Sequence, residues 1–263
     1  MARAYFGSRN PFAFAHRGGA LRWPENTLLA FQSSADLGYQ HIETDLHETA
    51  DGHFVLFHDV TLERTTDGRG PIRDRTLAEL KSLDAAYGFE RDRTYPYRGQ
   101  EVRVPTLEEA LELSPTLRFN LEIKPKDPGF AFRLWEFIAH HGIEDRVLVA
   151  SEHDDVVAAF RRRSQGRVAT SPGFREALRF WGHVLAGTER FSTFAFDALQ
   201  IPPTFRRLPV VTERFVNAAH RHGIQVHVWT INDPSEMQRL YDLGVDAVMT
   251  DLPELLLEVL GQR

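Results

Sequence analysis

The chain is 263 residues long, which fits one large α/β domain or two small ones, and its 42% hydrophobic content with 19 Phe can build a sizeable core. Thirty-one Lys and Arg against 37 Asp and Glu leave a formal net charge of −6, which argues against a general binder of nucleic acid or anionic membrane. Cysteine is absent, so disulfides, thiolate metal sites and a cysteine nucleophile are excluded, and any metal must be held by oxygen or imidazole.

No long apolar stretch opens the chain and no run approaches the ~18 apolar residues of a membrane span, so the expectation is a cytoplasmic protein without a signal peptide. The first strand is "FAFAH" (12–16), an apolar run that stops at His16, Arg17 and the pair Gly18-Gly19. "PENT" follows and leads into "NTLLAFQSSADLG", where Leu28, Leu29, Phe31, Ala35 and Leu37 suit one buried helix face. "HIETDL" (41–46) is the second strand, and "ADGHFVLFHD" adds a short extra strand after an Asp-Gly turn. From about 60 to 105 the rhythm breaks. "TTDGRGPIRDRTLAEL" and "YGFERDRTYPYRGQEVRVP" are turn-rich and charged, with no clear βα unit, and read as an insertion after the second strand.

Regular alternation then resumes. Strands are predicted at "RFNLEIK" (118–124), "RVLVAS" (146–151), "RVATS" (167–171), "DALQIP" (197–202), "QVHVWT" (225–230) and "AVMTD" (247–251), with helical patterns between them. Several of those helices open on Thr or Asp and close on Gly. Eight strands alternating with helices predict a single (β/α)8 TIM barrel spanning 1–263, with a doubly wound sheet as the alternative, and the strand count favours the barrel.

Barrel active sites form at the C-terminal ends of strands, and those ends carry a consistent set of groups. In order they offer His16 and Arg17, Glu43 and Asp45, His58 and Asp59, Glu122 and Lys124, Trp229, and Thr250-Asp251. Glu43 and Asp45 are two apart on a strand and point to one face, taken as the barrel interior, with Glu122 of the same parity. Three carboxylates sharing a cavity repel, and one divalent cation relieves them; an all-oxygen set suits Mg²⁺ or Ca²⁺. The structural alternative is that they are paired with Arg17 and Lys124 for the fold alone, which leaves buried polar groups at strand ends without a role. His16 and His58 are suited to giving and taking a proton in one reaction. Arg17 and Lys124 are cations able to clamp a phosphate, and Gly18 and Gly19 are read as room for a ligand against the backbone. A base, an acid, cations and a metal point to hydrolysis of a phosphate ester.

In these residues and the motifs around them, the chain resembles the glycerophosphodiester phosphodiesterase family. The matching pieces are "AHRGG" with "PENT", "IETDLHETADGHFVLFHD", "LERTTDGRGPI", "VPTLEEAL", "NLEIKP", "VHVWTIND" and "GVDAVMTDLP", in the family's order and over almost the whole chain. The resemblance implies a barrel with a small insertion after the second strand and hydrolysis of glycerophosphodiesters to glycerol 3-phosphate and an alcohol. It implies His16 and His58 as the acid/base pair, Glu43, Asp45 and Glu122 as ligands of one divalent cation, Arg17 and Lys124 on the phosphate, Trp229 as a pocket wall, and Glu25 as an organiser of the first loop. Two rival readings are a phospholipase D-like or cyclising lyase activity on lysolipids and a non-catalytic phosphate-binding barrel. The expected partner is a small-molecule substrate, without nucleic acid and without a membrane span.

Overall fold

The computed structural model describes residues 4–7 and 11–261, so the very start of the segment read for a leader lies outside the described residues. The strands are β1 Phe12–His16, β2 His41–Glu48, β3 Phe54–Leu56, β4 Arg118–Ile123, β5 Val147–Ala150, β6 Ala169–Thr170, β7 Ala198–Ile201, β8 Thr204–Phe205, β9 Leu208–Pro209, β10 Gln225–Val228 and β11 Ala247–Thr250. The helices are α1 Leu28–Asp36, α2 Leu77–Ser82, α3 Leu107–Glu112, α4 Pro128–His141, α5 Asp154–Ser164, α6 Phe174–Ala186, α7 Glu213–Arg221, α8 Pro234–Asp242 and α9 Pro253–Gly261.

One sheet runs in the order β6-β5-β4-β2-β1-β11-β10-β7, with β3 antiparallel on β2, while β8 and β9 form a separate hairpin. Read around, that order follows the chain without reversing. A doubly wound sheet reverses at a switch point; this sheet does not, and the fold is the (β/α)8 barrel. Asp197 bridges the two ends of the path: its N–H donates to the Thr170 carbonyl at 2.8 Å, and its carboxylate accepts from the Thr170 N–H at 2.9 Å.

Helix starts follow the local chemistry. The side chains of Thr27, Thr76, Thr106, Asp127, Thr212 and Asp233 accept backbone N–H groups at the first turns of α1, α2, α3, α4, α7 and α8. Each such cap contributes about 1 kcal/mol. Left-handed Gly142 and Gly187 close α4 and α6, whereas α5 ends on left-handed Gln165, one residue before its glycine.

The chain divides into two compact units. The first holds the described residues within 1–14, 126–250 and 254–263. Its core includes Tyr5, Phe6, Phe12, Phe14, Leu148, Ala169, Ala247 and Met249. His227 is packed there too, against the rings of Phe6, Phe12 and Phe14, a packing histidine as its apolar strand implies. The second unit holds 15–125 and 251–253. Within it the 60–105 segment contributes Leu62, Ile72, Leu80, Ala85, Ala86, Val102 and Val104 to a buried cluster with Val55 and Phe57. The segment read as turns and charge therefore has a small core of its own, scattered at spacings that fit neither helix nor strand.

Candidate active site

All of the sequence-predicted site residues except Trp229 lie in the second unit, within β2 or at the ends of β1, β4 and the β3 extension. On β2, Glu43 and Asp45 are both buried, and across the parallel β2–β4 pair Asp45 stands opposite Glu122. One carboxylate oxygen from each of Glu43, Asp45 and Glu122 lies within 4.8 Å of the others. The parity argument thus holds through strand register: i and i+2 on β2 share a face, and the partner register on β4 adds the third group.

The cations balance this cluster unevenly. Lys124 Nζ lies 3.0 Å from Asp45 and 3.1 Å from Glu122, and Arg17 Nε lies 3.3 Å from Asp45. Burial opposes ionisation of Asp45, but Lys124 and Arg17 outweigh it and hold its pKa below the ordinary carboxylate range. Glu43 fares differently. It accepts the Arg17 backbone N–H at 3.1 Å and has His16 Nε2 at 3.7 Å, and burial together with the charge on Asp45 pushes its pKa up to about 7. The ion pairs of the purely structural reading are present, with Lys124 on Asp45 Oδ1, yet they leave Glu43 with only the more distant His16 as a side-chain partner. Three carboxylate oxygens within reach of one ion, one of them on a group whose pKa is pushed up to about 7, fit a hard divalent cation.

Each of the two histidines is held by a carboxylate of its own. His16 Nδ1 is 2.6 Å from Asp251, and His58 Nδ1 is 2.6 Å from Asp59. With Nδ1 engaged, each ring has Nε2 left for another partner, and on His16 that nitrogen is 3.7 Å from Glu43. Burial opposes protonation of His16, but Glu43 and Asp251 outweigh it and raise its pKa.

Asn26, Asp59, Arg64 and Asp251 complete the site. Asn26, left-handed at φ 55°, donates to Asp45 Oδ2 at 2.9 Å and accepts from Thr44 Oγ1 at 2.7 Å, which fixes the β2 carboxylate to the first loop. Glu25 accepts from Arg17 at 3.0 Å and from both terminal nitrogens of Arg64 at 2.7 Å, so it does organise the loop. Arg64 Nε also donates to Asp59 at 2.6 Å, and burial notwithstanding, Arg64 and His58 pull Asp59 down to about 2. A continuous chain of charge runs Arg17–Glu25–Arg64–Asp59–His58. Asp59 and Asp251 were visible as strand-end acids, whereas Arg64 sits in the turn-rich stretch where no periodicity singles it out.

Gly18 and Gly19 serve packing. A Cβ on Gly18 would stand 2.8 Å from Ala30 and Phe31, and one on Gly19 would stand 2.7 Å from Pro253 and 3.0 Å from Trp23. Both also have left-handed φ, 81° and 96°. The room they make is taken by α1 and the start of α9, not by a ligand. Trp229 belongs to the first unit; it follows β10, is 42% exposed, and donates its N–H to the Ile201 carbonyl at 3.3 Å.

Comparison with known proteins agrees with this geometry. The family model for the Glycerophosphoryl diester phosphodiesterase family matches residues 16–255. A protein of Caldanaerobacter subterraneus subsp. tengcongensis named glycerophosphodiester phosphodiesterase is 32% identical over 257 residues, covering 93% of this chain and 96% of its own. A solved phosphodiesterase of Oleispira antarctica, in complex with the product sn-glycerol-3-phosphate, superposes with a TM-score of 0.75 at 27% identity, over 96% of this chain and 97% of its own. The glycerophosphoryl diester phosphodiesterase domain of a Mycobacterium tuberculosis protein shares the fold, with a TM-score of 0.84 at 21% identity over 97% of this chain and all of its own. The chain belongs to the glycerophosphoryl diester phosphodiesterase family of enzymes.

Proposed function

We propose that the protein hydrolyses glycerophosphodiesters to glycerol 3-phosphate and an alcohol as one barrel domain, with His16 and His58 dividing the acid and base roles. The observation that carries this is the pairing of each imidazole, through Nδ1, with a carboxylate at 2.6 Å, beside a cluster of three further carboxylates. Glu43, Asp45 and Glu122 would hold one divalent cation, Mg²⁺ or Ca²⁺. When bound, that ion supplies charge neutralisation for the phosphate and preorganises it for attack.

The chain's own residues supply the rest. Asp251 and Asp59 fix the tautomer of each ring, so that Nε2 takes or gives the proton. One Nε2 removes a proton from the nucleophile, which is water or the glycerol's neighbouring hydroxyl, while the other protonates the departing alcohol oxygen. Arg17 and Lys124, already poised among the carboxylates, turn toward the phosphate oxygens.

The assay is release of glycerol 3-phosphate from glycerophosphocholine with and without chelator. His16→Ala and His58→Ala are each expected to lose roughly 10²–10⁴-fold in kcat, the usual scale of general acid–base catalysis. A nitrophenyl diester, whose leaving group needs little protonation, should rescue the mutant of the acid and not that of the base. Near-wild-type rates in both mutants, or full activity in chelator-treated protein free of metal by elemental analysis, would overturn the proposal.

A further inference from the structure

Helix α6 and the β8–β9 hairpin, both in the first unit, carry a surface that the proposed reaction does not use. Along α6, Phe174, Leu178, Trp181 and Leu185 recur at spacings of four, three and four, and so share one face. Phe174, Leu178 and Leu185 are 52%, 36% and 62% exposed, while Phe180 and Val184 on the other face are buried. Phe205 of the hairpin brings its ring centroid to 6.2 Å from both Phe174 and Trp181, and Leu208 beside it is 57% exposed. The apolar patch is therefore continuous across two elements, which singly scattered surface residues are not.

Arginine predominates around the patch, although the Asp154 carboxylate accepts the Arg175 and Glu176 N–H groups at the start of α6. Arg175 and Arg179 flank it on α6, and Arg206 and Arg207 form the hairpin turn, all four exposed. Among the described residues no carboxylate pairs with Arg175, Arg206 or Arg207, and Glu176, the sole acid of α6, is taken up by Arg161. Arg206 and Arg207 have φ of 48° and 68°, a two-residue turn conformation usually filled by Asn-Gly. Two arginines there carry a conformational cost and put both guanidinium groups at the hairpin tip. The chain's net charge of −6 is an average over all its residues. At physiological salt a charge is felt over only about 8 Å, so this patch presents its own positive field.

We propose that this face docks peripherally on an anionic phospholipid bilayer. The Phe174–Leu185 stripe and Leu208 lie at the boundary between headgroups and acyl chains, and Arg175, Arg206 and Arg207 reach the lipid phosphates. Such a surface lies on a membrane and spans nothing, consistent with the absence, among the described residues, of any helix long and apolar enough to cross one. A second copy of the chain is a poorer occupant, because a two-fold contact on the stripe brings like-charged arginines together.

The test is cosedimentation of the whole chain with vesicles of phosphatidylcholine mixed with phosphatidylglycerol, and with vesicles of phosphatidylcholine alone, at low and high salt. Binding is expected to the anionic vesicles and to weaken with salt. Arg175→Ser, Arg206→Ser and Arg207→Ser together should weaken it roughly a hundredfold, about fivefold per arginine. Phe174→Ser with Leu185→Ser should weaken it as well, and circular dichroism should show both variants folded, since every altered position is exposed. No binding by the wild-type chain at low salt, or undiminished binding by both variants, would overturn the proposal. So would sedimentation velocity showing a dimer that Phe174→Ser with Leu185→Ser dissolves, in a protein that ignores vesicles. None of these readouts passes through the diesterase site.

Discussion

Arg64 shows how much one side chain can organise. Its planar fork donates to both oxygens of Glu25 at 2.7 Å and to Asp59 at 2.6 Å, and through them it reaches Arg17 and His58. Lysine is a point charge and cannot make both contacts in fixed directions. Arg64→Lys is therefore expected to keep the fold and lose about 10–100-fold in kcat, the scale seen when a partner that orients a reacting group is removed. Steady-state kinetics on glycerophosphocholine, alongside an unchanged dichroism spectrum, would check this; a wild-type rate would mean that His58 needs no support from the network. The histidines and carboxylates were legible in the sequence because they sit at strand ends, where any charged group in a barrel is conspicuous. Arg64 was not, because it comes from a loop, and only three-dimensional closure of that loop brings it to Glu25, 39 residues away.

The same division applies to elements. The strands that build the barrel were readable, because β-branched and aromatic runs end abruptly in polar groups, and the strongly capped helices were readable from Thr, Asp and Gly. Residues 60–105 resisted, since their buried residues arrive one or two at a time between turns and no period marks them. The β8–β9 hairpin was missed for a related reason: its turn is Arg206-Arg207, which carries no turn signal. The two glycines after β1 were visible but their purpose was not, because what fills the space comes from α1 and Pro253. Contact between elements is also where pH should act on stability. Arg161 of α5 donates to Glu176 of α6 at 2.8 Å, to the Ser171 carbonyl and to Thr170, so it ties two helices and the β6 end together. Burial opposes ionisation of Glu176, but Arg161 outweighs it and lowers its pKa in the folded protein. A lowered folded-state pKa means stabilisation that is present above the unfolded value of about 4.3 and lost as pH falls through the folded value. Glu176→Gln should thus cost about 1–3 kcal/mol at pH 7 and progressively less below pH 4. Urea unfolding across that range checks it; a difference independent of pH would assign the effect to packing and not to charge.

At the scale of the whole molecule, the ring of strands in chain order concentrates acidic groups at one place, and the fold bears the repulsion. In the absence of a cation, Glu43 is a buried carboxylate beside Asp45, with its pKa pushed up to about 7 by burial and by that neighbour. Such a group opposes folding at neutral pH, which is the usual relation between a site built for binding and the stability of the chain that holds it. Two consequences of opposite sign follow. Glu43→Gln keeps an oxygen to accept the Arg17 N–H and removes the charge, so the chelator-treated variant should be more stable than chelator-treated wild type by roughly 0.5–2 kcal/mol. Wild type, in turn, should be stabilised by Mg²⁺ or Ca²⁺, by about 2.7 kcal/mol at a hundredfold excess over Kd, and the variant by much less. For a chain of this size each kcal/mol moves Tm by about 2–4 °C, so both effects are within reach of a calorimeter. The expected pattern is a crossing: the variant melts higher without metal and lower with it. A variant that is less stable under both conditions would show that Glu43 is held in place for the fold, and that the carboxylate cluster is an ion-pair network and not a cation site.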